Sequence, residues 1–357
     1  MMWQGDPYIN AYIQNFVAPE LQRRYGVTLR ITPGQGTQVV TALMTEIDAK
    51  RPSSSFDLAW INGETFYQLR QINALYGPFT DRLPNAKSID FSNRFIAYDF
   101  QQRVSGYECP WGNVQMAIIH NSERVPVPPR NRAELAAWVR KNPGRFTFDT
   151  TFAGMTFLKG LLIDVAGGER ELAGPFDEAK YKKYSRQLWD YINSIKPYFW
   201  KRGETFPAQL AQLHQMFANG EVDFTISNND GEVDNKVGQG LFPKSSRAYV
   251  LDSGTIQNSH FMGITRNSAH LAGALVTVNF LISAEAQLEK AKPAVWGDGT
   301  ILDIKRLTPE WQAKFAALPK RQFGPERSEI QSKALMELSP EYMIRLYDDF
   351  RSEVIQK

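Results

Sequence analysis

The run Phe56-Asp57-Leu58-Ala59-Trp60-Ile61 is mostly apolar and breaks abruptly into Asn62-Gly63-Glu64, after which Phe66, Leu69 and Ile72 recur at helical spacing. The pattern predicts a buried strand whose carboxyl end turns directly into a helix N-terminus. Upstream, Asp6-Pro7 reads as an N-cap followed by proline at the first helical position, and Ile9, Tyr12, Ile13 and Phe16 share one helical face. Pro19 is expected to kink or interrupt that helix and Gly26 to end it. Val27, Leu29 and Ile31 alternate as in a strand, Pro33-Gly34-Gln35-Gly36 is a loop, and Val39, Val40, Leu43, Met44 and Ile47 mark a second helix. Strand and helix thus alternate three times, which predicts a parallel sheet with crossover helices.

Beyond residue 108 the pattern predicts strands at 114–119, 146–148, 222–227, 247–252 and 260–265. Helices are expected over 157–166, 181–195, 208–217 and 269–290, with a charged helical tail after Leu307. This order predicts one α/β lobe (1–108 plus 253–357, including the C-terminal helices) with a second (109–252) inserted into it. The chain would cross between them near 106–114 and 247–255. A length of 357 residues suits two cores better than one.

Composition narrows the function by exclusion. No run of about 18 or more apolar residues is present, so no spanning helix is expected. Net charge is +3 with no basic block, which gives no support for nucleic-acid binding. Cys109 is the single cysteine, so neither an intramolecular disulfide nor a multi-cysteine metal site can form. His120, His214, His260 and His270 are scattered without metal spacing; His214, within a helical pattern, and His270, near a helix start, read as structural. Gly34-Gln35-Gly36 lacks the rest of a dinucleotide fingerprint, and no phosphate-binding loop or nucleophile elbow occurs. No cofactor and no metal are expected. Met1-Met2-Trp3 reads as the tail of a strand whose start lies upstream, as in a processed chain.

Four segments join an apolar strand to small or amide residues and then a helix: Trp3-Gln4-Gly5-Asp6, Ile61-Asn62-Gly63-Glu64, Asp149-Thr150-Thr151-Phe152 and Ser227-Asn228-Asn229-Asp230. Any one is ordinary turn and N-cap chemistry. Their recurrence in both halves, with aromatic residues close by, is what a ligand cleft requires. In Cys109-Pro110-Trp111-Gly112-Asn113, Trp111 is poorly placed for a regular core strand and is equally readable as a cleft residue or a packed hinge. Trp296-Gly297-Asp298-Gly299 reads as a surface loop, with a loop approaching the cleft as the alternative. Glu64 and Asp230 are candidates for a carboxylate pair of the glycosidase type or for orienting a ligand.

The string Asp57-Leu58-Ala59-Trp60-Ile61-Asn62-Gly63-Glu64-Thr65-Phe66, followed by Gly77-Pro78-Phe79 and Leu83-Pro84-Asn85, resembles the YnjB-like solute-binding proteins of ABC transporters. Trp3-Gln4-Gly5-Asp6, Pro110-Trp111-Gly112-Asn113-Val114-Gln115 and Val222 to Asn229 are similar to the same family. The resemblance implies a two-lobed type II periplasmic-binding-protein fold. Each lobe would be a mixed, mostly parallel sheet flanked by helices, with a ligand cleft between lobes. It also implies a periplasmic or lipid-anchored extracytoplasmic location and a membrane permease as partner. Ferric relatives carry an adjacent tyrosine pair where this chain has Asn228-Asn229, which disfavours iron.

The reading is therefore a monomeric receptor, not an enzyme, that traps a small polar solute by lobe closure. Trp3, Asn62, Glu64 and Thr255 would contribute from lobe one, Thr151, Phe152, Asn228 and Asp230 from lobe two, and Trp111 and Asn113 near the hinge. Aromatic faces with Glu64 and Asp230 favour a solute of cationic character, thiamine-like or amine-bearing. The alternatives are a carboxylate-pair glycoside hydrolase and an extracytoplasmic sensor of the same ligand.

Overall fold

The computed structural model describes every residue except Gln4, Asp6 and Lys357, so the Asp6 N-cap and part of the first strand-end string lie outside the described residues. The chain divides into two units, Met1–Asn113 with Asn258–Pro319, and Val114–Gln257 with Lys320–Lys357. In chain order the strands are β1 (Met2–Trp3), β2 (Thr32–Pro33), β3 (Leu58–Ile61), β4 (Tyr98–Asp99), β5 (Gln102–Arg103), β6 (Glu108–Gln115), β7 (Ala117–Asn121), β8 (Phe224–Ser227), β9 (Ser246–Tyr249), β10 (Thr255–Ile264) and β11 (Ala334–Leu335).

In the first unit β1 pairs in parallel with β2 and β3, as the β-α-β-α-β alternation predicts. β10 runs antiparallel to β3, with Phe261 opposite Ile61 and Met262 opposite Trp60, and β6 pairs with β10. Val27 to Ile31 do not form the expected strand. β1 offers only two residues to pair with, and the ladder starts at Thr32. The α-helix is interrupted ahead of Pro19: a π-helical stretch, Ile13–Val17, separates Pro7–Tyr12 from Ala18–Tyr25, and Pro19 sits in the first turn of the latter. Gly26, with φ of +65°, ends the helix as expected. The single helix expected over 269–290 is two, Leu271–Leu281 and Ala284–Ala291, because the Ser283 hydroxyl caps the second by accepting from Ala286 N at 3.2 Å.

The second unit departs from a mostly parallel sheet. β7 lies between β8 and β9 and is antiparallel to both. The β8–helix–β9 crossover leaves one strand width open, and β7 fills it in the opposite direction. Phe146 to Phe148 are buried but form no strand, their neighbours bonding instead to loops: Trp200 N donates to Phe146 O at 2.9 Å and Asp223 N to Arg145 O at 2.9 Å.

The tail, expected in the first lobe, belongs to the second unit from Lys320 onward. Helix Pro340–Phe350 carries Tyr342, Met343, Leu346 and Phe350 on one buried face, and such a stripe must find apolar partners. Those partners are aromatic: Phe350 lies 5.6 Å from Phe148 and 5.2 Å from Phe206, and Tyr342 4.9 Å from Phe176. Lys159 and Glu337, both buried, form an ion pair beside them.

Candidate functional site

In the first unit β3 ends at Ile61, and Asn62 takes the N-cap position of helix Gly63–Gln71 with extended backbone (φ −111°, ψ 168°). Its half-buried side chain makes no capping bond. Glu64 lies in the first turn, where the helix dipole favours a carboxylate. Gly63 is needed for close approach: a Cβ there would stand 2.0 Å from the Phe100 ring. Phe100 (φ +45°) and Gln101 (φ +61°) make the tight turn between β4 and β5, so this hairpin covers the helix start with a buried ring. Gly63→Ala is expected to displace Phe100 and cost about 1–3 kcal/mol, read as a lower thermal midpoint; an unchanged midpoint would mean the hairpin yields without resistance.

Trp3 and Trp111 do come together, at 5.8 Å and nearly parallel, but within a box that also includes Trp60, Trp296 and His260. Trp3 is 2% exposed and Trp111 0%, so neither presents a face, and only Trp60 and His260 remain half-buried. The Trp296 loop is core and not surface. Trp296 and Asp298 are buried because the box and Lys290 draw them in. Trp111 sits in a fully buried regular strand, since Gly112 lets β6 pass against His260 and Asp298. A Cβ there would stand 2.3 Å from Asp298 Oδ2 and 2.4 Å from His260 Cδ2. Asn113 locks β6 to β10, its amide donating to Asn258 O at 3.2 Å and Ser259 Oγ at 3.1 Å.

Asp298 accepts from His260 Nε2 at 2.9 Å and from Lys290 Nζ at 2.5 Å. Burial alone would raise its pKa; Lys290 and His260 outweigh burial and hold it below the usual carboxylate range.

In the second unit Thr151 is the N-cap of helix Phe152–Val165, but its N–H and hydroxyl both serve buried Asp149. Burial raises the Asp149 pKa, and the bonds from Thr151 and Gly154 only partly offset it. Phe152 is half-buried, with Lys159 Nζ 5.9 Å from its ring centre. Asn228 follows β8, half-buried, with a buried Oδ1 that no described residue engages. Asp230 and Thr255 are brought together by Gln115. Its N–H donates to Asp230 Oδ1 at 2.8 Å and its amide to Thr255 Oγ1 at 3.1 Å.

Asp230 is fully buried and held by Arg321 (2.5 Å) and Arg327 (3.0 Å from Nε). Burial would raise its pKa, yet Arg327 and Arg321 drive it down to about 2. Its charge is therefore spent inside the unit. Glu64 and Asp230 belong to different units, and Asp230 lacks the raised pKa that a glycosidase acid requires. Sequence reasoning did not single out Gln115, Arg321 and Arg327 as site residues, nor His260, which lies beside Phe261, the strand partner of Ile61. His120 and His214 are structural, bonded to Val125 O at 2.9 Å and Ile226 O at 3.0 Å. Among the described residues no group of His, Cys, Asp and Glu is arranged to hold a metal. A surface depression of about 250 Å³, lined by Leu43, Glu46 and Arg266, lies at the opposite end of β3 from Asn62, away from these strand ends.

Both units are α/β, with polar residues at the carboxyl ends of β3 and β8, where open α/β sheets place ligands. The chain belongs to the bacterial extracellular solute-binding protein family, whose model matches residues 16–319. It is 33% identical over 309 residues to Protein YnjB of Escherichia coli (strain K12), covering 85% of this chain and 79% of that protein. A putative spermidine/putrescine ABC transporter protein from Listeria monocytogenes has a similar fold, with a TM-score of 0.69 at 16% identity over 98% of this chain and 97% of the other. So does the periplasmic binding protein AfuA from Actinobacillus pleuropneumoniae, solved with fructose-6-phosphate, with a TM-score of 0.68 at 14% identity over 99% and 97% of the two chains.

Proposed function

We propose that this chain is the substrate-binding receptor of an ABC importer, taking up a small polar solute outside the cytoplasm and delivering it to a membrane permease. The observation that carries this reading, beside the family, is a matched pair of unspent amides. Asn62 follows β3 and Asn228 follows β8. The Asn62 side chain makes no capping bond, and Asn228 Oδ1 has no partner among the described residues. Buried or half-buried polar groups without partners are costly unless a ligand completes them. Trp60 adds an aromatic face and Glu64 a negative charge, which favours an amine-bearing or thiamine-like solute. Asp230 adds nothing to that preference, because two arginines neutralise it.

The test is titration calorimetry with thiamine, putrescine, spermidine, 4-aminobutyrate and fructose 6-phosphate. Asn62→Ala and Asn228→Ala are each expected to weaken the solute that binds by about tenfold, or about 1.4 kcal/mol, without lowering the unfolding midpoint. Unchanged affinity in both variants would remove these amides from the site.

A further inference from the structure

His260 lies next to Phe261, which pairs with Ile61 at the end of β3, so His260 flanks Asn62 at the rim. Its ring is held on three sides. It stacks on Trp296 at 5.8 Å and 9°, packs against Trp60 at 4.8 Å, and covers Gly112, where any Cβ would meet Cδ2 at 2.4 Å. Nε2 is taken by Asp298 Oδ1 at 2.9 Å. The other oxygen of Asp298 holds Lys290 at 2.5 Å, and both those side chains are 0% exposed. Lys290 also donates to Gly299 O at 2.7 Å and sits 5.5 Å from the Trp296 ring centre. A carboxylate can only accept at Nε2, so in the neutral ring the proton sits on Nε2. Nδ1 is left as a lone-pair acceptor with no partner among the described residues, on a side chain that is 13% exposed.

A buried lysine–aspartate pair contributes little to stability against an apolar replacement. Its effect here is to fix one tautomer and one ring orientation, as a carboxylate does for a histidine whose outer nitrogen has a task. Resting on the receptor reading above, we propose that His260 is the hydrogen-bond acceptor through which the first unit takes its solute, with Lys290–Asp298 as the positioning pair. The solute class that follows is one presenting an N–H or O–H donor beside an aromatic face: a protonated or neutral amine, or a hydroxyl. A solute whose contacting edge carries only acceptors would meet a lone pair there and be rejected.

The test uses the full chain labelled with [15N]histidine and the same five solutes. Long-range 1H–15N spectra of the wild type are expected to show His260 as the Nε2–H tautomer, assigned by loss of its signals in His260→Phe. The solute that binds the wild type in calorimetry is expected to shift the Nδ1 resonance and to bind His260→Phe at least tenfold more weakly. In the double variant Lys290→Met/Asp298→Leu the tautomer preference is expected to be lost and the solute-induced shift of Nδ1 to shrink with it, the second being a response that a merely structural pair would not give. An Nδ1–H tautomer in the wild type overturns the proposal, and so does a bound solute that leaves Nδ1 unmoved; either result leaves the receptor reading intact. A wild type that binds none of the five removes the receptor reading for these solutes and this inference with it. Should His260→Phe fail to fold, the wild-type tautomer and the Nδ1 shift still decide.

Discussion

Asp298→Ala is expected to destabilise the first unit by about 3–5 kcal/mol, the cost of leaving one member of a buried ion pair behind. Lys290 is fully buried, and its bond to Gly299 O at 2.7 Å is to a neutral carbonyl that does not balance its charge. Loss of the carboxylate also frees His260 Nε2 and opens space beneath Trp296, in a box of four tryptophans. Those tryptophans provide the measurement: denaturant unfolding followed by their emission, with the midpoint falling and the slope unchanged if the native fold survives. The double variant Lys290→Met/Asp298→Leu should recover most of the loss, because apolar side chains of similar volume replace the pair without stranding a charge. A single variant no less stable than the double would show that the buried lysine is not the source of the cost.

The elements most legible in the sequence were those with a local cause. The strand ending at Ile61 and the helix opening at Gly63 follow from an apolar run that stops at an amide and a glycine, and the parallel order of β1, β2 and β3 follows from helices between them. What stayed hidden depends on pairing between distant residues. Nothing near Trp111 announces that Gly112 exists to admit His260 and Asp298, residues about 150 and 190 positions later, so an apparently irregular segment became a regular buried strand. Asp230 looked available for a ligand because the arginines that consume it lie at Arg321 and Arg327, in a tail that local patterning placed in the first lobe. Asn62 and Asn228 kept their candidacy for the opposite reason: among the described residues none caps with the Asn62 side chain or engages Asn228 Oδ1.

Acid should loosen the second unit through Asp230, and the same residue should control where loosening begins. In the folded state its pKa is depressed to about 2, so it contributes stability above the ordinary aspartate range that is lost as pH falls through about 2. The difference from an unfolded aspartate is on the order of 2 kcal/mol, fully present at neutral pH. Asp230→Ala is expected to remove this term and leave two guanidiniums facing each other, for a total of about 3 kcal/mol. The figure is at the low end of such losses because the Arg321 and Arg327 side chains are 15% and 26% exposed and gain water. Both arginines belong to the segment that begins at Lys320, so the loss should fall first on that segment. Hydrogen exchange is expected to rise at least tenfold in peptides covering 320–333 of the variant, with peptides of the first unit unchanged. Between pH 7 and 3 the variant should also lose less stability than the wild type, since it no longer has this carboxylate to protonate. Equal acid sensitivity in the two proteins, with protection of 320–333 intact, would show that the arginines hold the tail without Asp230.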